Sequence, residues 1–248
     1  MVNMERLKLV QAIFFDLDGT LLEIDMKTFI PAYVDGLATH FVDLVPLPLF
    51  RRTVLAATYA LLRNDNGQLS NEALFLQILE RHLNIAPALF QARFTSFCAD
   101  NLDGLRRHSR SLPLVRQIVE RCFERDLKVV IATNPVFPRR VIEARLDWAG
   151  LDALPYAHVT SYESCRFCKP HRAFFEDVMT EIGCSADSCL MVGNDTHHDL
   201  AAREAGMLTF LVDTWLVDRA EEPWESDFRG GHPDLFRFVQ RLGEGAQE

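Results

Sequence analysis

Two aspartates, Asp16 and Asp18, stand two positions apart where the apolar run Leu9-Val10-Gln11-Ala12-Ile13-Phe14-Phe15 ends. Side chains two apart in extended backbone point the same way, so both carboxyls can face one ligand at the end of a strand. Gly19 permits a tight turn immediately afterwards. A third carboxylate, Asp195, follows the apolar run Ser188–Val192 through Gly193-Asn194. Asp199 lies four residues further on, one helical turn away, where it can meet Asp195. Lys169-Pro170 precedes a helical pattern, and Thr133 ends another apolar run with a hydroxyl and neighbouring N–H groups available to an anion. Hard carboxylate oxygens in this number suit magnesium. The set fits phosphoryl transfer, with a carboxylate to attack phosphorus and a second carboxyl to exchange protons with the leaving oxygen and water. Lysine and a metal ion would neutralise the equatorial oxygens.

These residues must be positioned by strands. Besides 9–15, strand patterns occur at 127–133, 158–162, 188–192 and 208–212. Helical patterns separate them, with Leu114, Val115, Ile118, Val119 and Cys122 at helix spacing, then 139–149, 171–182 and 198–204. Gly150, Gly183 and Gly206 stand where helix ends are expected. Such alternation predicts an α/β fold, a mostly parallel sheet covered on both faces. The stretch from about 21 to 111 breaks the rhythm. It offers no period-2 segment and reads as helices at roughly 27–44, 49–63, 70–83, 87–98 and near 100–107. Ninety residues are too many for a crossover loop, so an all-helical unit inserted at 21–111 is expected within a core of 1–20 and 112–248. After Asp213 the chain is less regular, punctuated by Pro223, Gly230, Gly231 and Pro233, with a last helix over 234–242.

Composition narrows the function classes. The 248 residues carry a formal net charge of −9, which gives no basic field for a nucleic-acid backbone. No apolar run approaches the length of a membrane span. The start Met1-Val2-Asn3-Met4-Glu5-Arg6 has no signal-peptide pattern. The six cysteines, Cys98, Cys122, Cys165, Cys168, Cys184 and Cys189, are therefore read as reduced thiols of a cytoplasmic protein. Cys165 and Cys168 form one CxxC, half of a four-cysteine zinc site, and are read as unlinked. Of the 18 phenylalanines, Phe29, Phe41, Phe50, Phe75, Phe90, Phe94 and Phe97 fall in the helical stretch at spacings that bury them between helices. Lining an apolar substrate is their other possible use. Arg139-Arg140 and His197-His198 are read as solvated or supporting groups, with a substrate contact as the other reading, and Arg51-Arg52 is a small basic patch that could face the phosphate entrance.

Asp16-Leu17-Asp18-Gly19-Thr20 resembles the first signature of the haloacid dehalogenase-like hydrolase superfamily. Thr133-Asn134, Lys169-Pro170 and Gly193-Asn194-Asp195 with Asp199 resemble the second, third and fourth, in the expected order. The resemblance spans residues 9 to about 213. It implies a Rossmann-like three-layer core with strand order 5-4-1-2-3 and a helical cap of the first class. It implies Asp16 as nucleophile and Asp18 as general acid/base, with Thr133, the Asn134 amide and Lys169 on the transferred phosphoryl group. Magnesium would be held by Asp16, the backbone carbonyl of Asp18 and Asp195, with Asp199 in support through water or Lys169. Family dehalogenases keep the nucleophile but lack the second aspartate, so Asp18 favours a magnesium-dependent phosphatase acting on a small phosphate monoester. A phosphomutase of the β-phosphoglucomutase type shares every core residue, and a catalytically retired interaction module is the reading from another class. A phosphonate hydrolase would need a cap lysine, and Lys27 alone is available there.

Overall fold

A computed structural model describes residues 4–219 and 225–242. A short helix α1 (Met4–Leu7) precedes β1 (Ala12–Phe15) and β2 (Leu22–Ile24). Four helices follow, α2 (Met26–Thr39), α3 (Leu47–Leu62), α4 (Asn71–Leu83) and α5 (Pro87–Asp100), then a 3-10 turn (Asp103–His108) and β3 (Ser109–Ser111). Strands and helices alternate as far as β6 and then give way to successive strands: α6 (Val115–Glu124), β4 (Lys128–Ile131), α7 (Arg139–Trp148), β5 (His158–Val159), α8 (Arg172–Glu181), β6 (Cys189–Gly193), β7 (Leu208–Val212), β8 (Phe228–Gly230) and a last helix α9 (His232–Arg241).

The main sheet runs β5-β4-β1-β6-β7-β8, with every pairing parallel. Its first five strands, read from the opposite edge, have the expected order 5-4-1-2-3. The addition is β8, which comes from the segment after Asp213 that showed no strand pattern. Three residues at a sheet edge, Phe228-Arg229-Gly230, are too few to display a period. β1 sits in the middle, where its four residues are all fully buried. Alternation sends Ile13 and Phe15 into one apolar cluster and Ala12 and Phe14 into the other. Val115, Ile118, Val119, Leu235 and Val239 of α6 and α9 belong to the first cluster. Phe174, Phe175 and Val178 of α8 belong to the second. Helices therefore cover both faces, as a three-layer α/β arrangement requires.

The stretch 21–111 is not wholly helical. β2 and β3 pair antiparallel as a two-stranded ribbon, Leu22 opposite Ser111 and Ile24 opposite Ser109. Three-residue strands carry no readable alternation, which explains the discrepancy. The first expected helix also stops at Thr39, five residues before 44, and continues only as turns. Expected helix 198–204 is instead a 3-10 segment, Leu200–Arg203, with Asp199 at its N-terminal boundary accepting from the Asp195 N–H. Gly150, Gly183 and Gly206 take positive φ at helix ends. The seven phenylalanines of the helical stretch are all buried. Phe41 stacks on Phe50 with centroids 4.6 Å apart, and Phe90 packs on Phe41, Phe75 and Phe94. Phe29 and Tyr33 meet Phe137 from the loop after β4. At the start of α4, buried Asn71 donates to the Pro135 carbonyl, while the Asn71 and Glu72 N–H groups bond the Cys165 and Tyr162 carbonyls. The helices are thus tied to the loops at the edge of the sheet.

Candidate active site

The site forms where parallel strands end together. Phe15 lies opposite Ile131 and Val192. The Asp16 N–H donates to the Val192 carbonyl, and the Ala132 N–H to the Phe15 carbonyl. This register brings Asp16, Thr133 and Asn194-Asp195 to one edge although they are far apart in sequence, as crevices at the carboxyl ends of α/β sheets require. Two glycines are demanded by close approach. Gly19 has φ +85°, and a Cβ there would sit 2.2 Å from the Asn194 side-chain nitrogen. A Cβ on Gly193 would sit 2.2 Å from the Asp199 carboxylate.

Lys169 is 2% exposed and is the hub. Its Nζ donates to Asp16 Oδ1 at 2.7 Å and to Asp199 Oδ1 at 2.6 Å. Its backbone N–H donates to Asn134 Oδ1 at 2.9 Å. Burial alone would lower the Lys169 pKa, but Asp16 and Asp199 outweigh it and hold the ammonium above the usual lysine range. Asp16 is pushed up to about 7 by burial, with Lys169 opposing the shift and Asp199 and Asp18 adding to it. Asp199 Oδ2 accepts from the Asp195 N–H at 2.9 Å, so one side chain orients both the lysine and the following turn.

Asp195 accepts from the backbone N–H groups of His197 and His198 at 2.9 and 2.8 Å, and from Arg219 Nε at 3.0 and 2.8 Å. Burial raises its pKa, but these N–H groups, His198 and Arg219 together hold it below the usual carboxylate range. His198, 3.6 Å from Asp195, is lowered to about 4 by burial and is neutral near pH 7. Thr133 is 2% exposed and lines the same cavity as Asn134.

Asp16, Asp18, Thr133, Asn134, Lys169, Asp195 and Asp199 therefore all border one cavity of about 490 Å³. Two further residues were not foreseen. Arg145, fully buried on α7, donates through Nη1 to Asp18 Oδ2, and its guanidinium lies 4.6 Å from the Phe137 ring centre. Asp18 Oδ1 makes no hydrogen bond among the described residues. An arginine within the buried stripe Val141, Ile142, Arg145, Leu146 and Trp148 was the available signal. Arg219 had none, because it reaches Asp195 across 24 residues. The opposite wall of the cavity includes Ile30, Val34, Val54, Leu55, Phe75 and Phe90. Phe75 and Phe90 thus serve the helical core and the cavity at once.

Cys165 and Cys168 are buried free thiols, raised to about 11 and about 12 chiefly by burial. Among the described residues no cluster of three or more His, Cys, Asp or Glu side chains is suited by itself to a metal. No helix among them is long and apolar enough to cross a membrane.

Residues 10–206 match the model of the haloacid dehalogenase-like hydrolases, and the chain belongs to that family. The probable phosphatase IndB of Dickeya dadantii is 26% identical over 213 residues, covering 85% of this chain and 84% of that protein. The pyrophosphatase PpaX of Bacillus cereus is 24% identical over 221 residues, covering 88% and 91%. In fold, the chain is similar to a 2-haloacid dehalogenase of Pseudomonas syringae pv. Tomato, with a TM-score of 0.60, 21% identity and 95% and 97% of the two chains covered.

Proposed function

We propose that this protein is a magnesium-dependent phosphatase that hydrolyses a small-molecule phosphate monoester through a phosphoryl group carried on Asp16. The observation behind this reading is the buried pair of Asp16 and Lys169 beside Asp18, whose Oδ1 is unbonded among the described residues. The phosphatase names of two relatives point the same way.

An Asp16 carboxylate oxygen attacks phosphorus, and the bond from phosphorus to the ester oxygen breaks. Asp18 gives that oxygen its proton, so the product leaves as an alcohol. Asp18, now ionised, takes a proton from water as the water attacks the phosphoryl group. The bond to Asp16 breaks, phosphate is released and both aspartates return to their starting states. Lys169 stabilises charge on Asp16 and on the transferred group, while Thr133 and the Asn134 amide bind its oxygens. Arg145 holds Asp18 by one oxygen and leaves the other for proton exchange.

The donor chemistry fits magnesium. Asp16, Asp18 and Asp195 line the cavity, and the two carboxylates of Asp16 and Asp195 with the Asp18 backbone carbonyl are the hard-oxygen donors that would hold the ion. Asp16, Asp18, Asp195 and Asp199 outnumber the cations paired with them, Lys169, Arg145 and Arg219. Magnesium there would supply charge neutralisation for the phosphoryl oxygens. The helical stretch 21–111 acts as the cap over the core of 1–20 and 112–248. Six free thiols agree with a reducing, cytoplasmic setting.

The test is phosphate release from p-nitrophenyl phosphate with and without magnesium, beside chloride release from 2-chloropropionate. Phosphate release that needs magnesium and is lost in Asp16→Asn is expected. Chloride release without phosphate release would replace the reading with dehalogenation.

A further inference from the structure

Given the phosphatase reading, the cavity wall facing the carboxylates bears on what is hydrolysed. That wall comes from α2, α3, α4 and α5, which contribute Ile30, Val34, Val54, Leu55, Phe75 and Phe90. Its polar members are the neutral hydroxyls of Tyr33, Thr58 and Tyr59, and Tyr162 adds another from the loop after β5. Among the described lining residues the formal cations are Lys169 and Arg219, both on the carboxylate side. Each is already matched to carboxylates, Lys169 to Asp16 and Asp199 and Arg219 to Asp195. A second phosphate or a carboxylate on the leaving group would enter this wall without a cation, at the cost of an unpaired buried charge. An alkyl or aryl group would instead displace water from apolar surface. The volume, about 490 Å³, lies in the range of pockets that enclose whole small organic ligands. Leu55 is 39% exposed and Tyr59 is 62% exposed, so apolar surface continues outward on α3.

We infer that the substrate is the phosphate monoester of an apolar alcohol, whose hydrocarbon part lies against α2 to α5, and not a diphosphate or a phosphorylated acid. This inference rests on the phosphatase reading for its phosphoryl half alone, since the apolar wall would bind hydrocarbon whatever chemistry follows.

A homologous series separates the two. Methyl, butyl, hexyl and octyl phosphates have nearly the same leaving-group basicity, so their kcat/KM values report binding along the wall. An increase of roughly fourfold per methylene is expected until the cavity is filled. Inorganic pyrophosphate and 2-phosphoglycolate should fall well below hexyl phosphate. The matching n-alkylphosphonates, which cannot be hydrolysed, should bind more tightly with chain length by calorimetry. Leu55→Asp should flatten both trends, with a thermal melt checking its fold. Hydrolysis that ignores chain length, or favours pyrophosphate or phosphoglycolate, would overturn the inference and leave the phosphatase reading standing. Phosphonate binding that strengthens with chain length, without hydrolysis of any ester, would support the apolar pocket and remove the phosphatase reading. Phosphonate binding that is flat with chain length would overturn the pocket assignment.

Discussion

The two walls of the cavity are built on opposite physical plans. At the sheet edge, four carboxylates and three cations are packed into a lattice of hydrogen bonds between 2.5 and 3.0 Å, including Lys169 bridging Asp16 and Asp199. On the helical side, phenylalanines stack on one another, and burial rather than hydrogen bonding holds the wall. Under the proposed function the charged wall orders atoms for a reaction, and it gives up stability to desolvation. The apolar wall adds stability and leaves the leaving group directionally free. Substitutions on the first should therefore change kcat with the fold intact, and substitutions on the second should change stability and KM.

The largest test of that contrast is Asp16→Asn. It should lower kcat on the order of ten-thousandfold, by removing the proposed nucleophile, while the urea midpoint stays at or above wild type. A large loss of stability would break the contrast. In the helical core behind the other wall, Phe50→Ala removes the ring stacked on Phe41. It should cost about 3–5 kcal/mol in urea unfolding, with kcat nearly retained at a temperature where the variant is folded. Arg145→Met lies between the walls, because Arg145 touches both Asp18 and Phe137. Steady-state kinetics should show kcat about tenfold to a hundredfold lower with KM little changed, and Arg145→Lys should restore part of it. An effect confined to KM would place Arg145 with the apolar wall.

The smallest effect concerns pH. His232 is buried, with Nε2 donating to the Thr20 carbonyl at 2.7 Å. Burial lowers its pKa, and the Thr20 carbonyl offsets only part of the shift. Its folded pKa lies below the unfolded value of about 6.5. Its stabilising contribution is therefore fully present above about pH 6.5, declines below that value and is lost as pH falls through the lower folded pKa. Chemical denaturation between pH 7.5 and 5.5 should show a steeper loss of stability in wild type than in His232→Gln. Equal slopes would show that another group governs acid sensitivity.

The charged wall was legible because its chemistry is written at strand ends. An apolar run followed by Asp16-Leu17-Asp18-Gly19, or by Gly193-Asn194-Asp195, marks both the strand and what it delivers. β8, β2 and β3 were illegible because three residues cannot show a period. Phe75 and Phe90 were correctly expected to be buried, yet helix spacing shows only that a residue turns inward. It does not say that the inner face also borders a cavity.

The sequence by itself determined the strand order of the first five strands, the helical character of most of the stretch 21–111 and the roster of carboxylates with their lysine. Those depend on local pattern, residue type and the resemblance those residues carry. Tertiary structure alone decided that Arg145 from α7 grips Asp18, that Arg219 crosses to Asp195 and that the wall opposite the carboxylates is apolar. The physical reason is the same each time. Such pairings join residues 24 to 127 positions apart, and no local periodicity encodes which side chain will face which across a cavity.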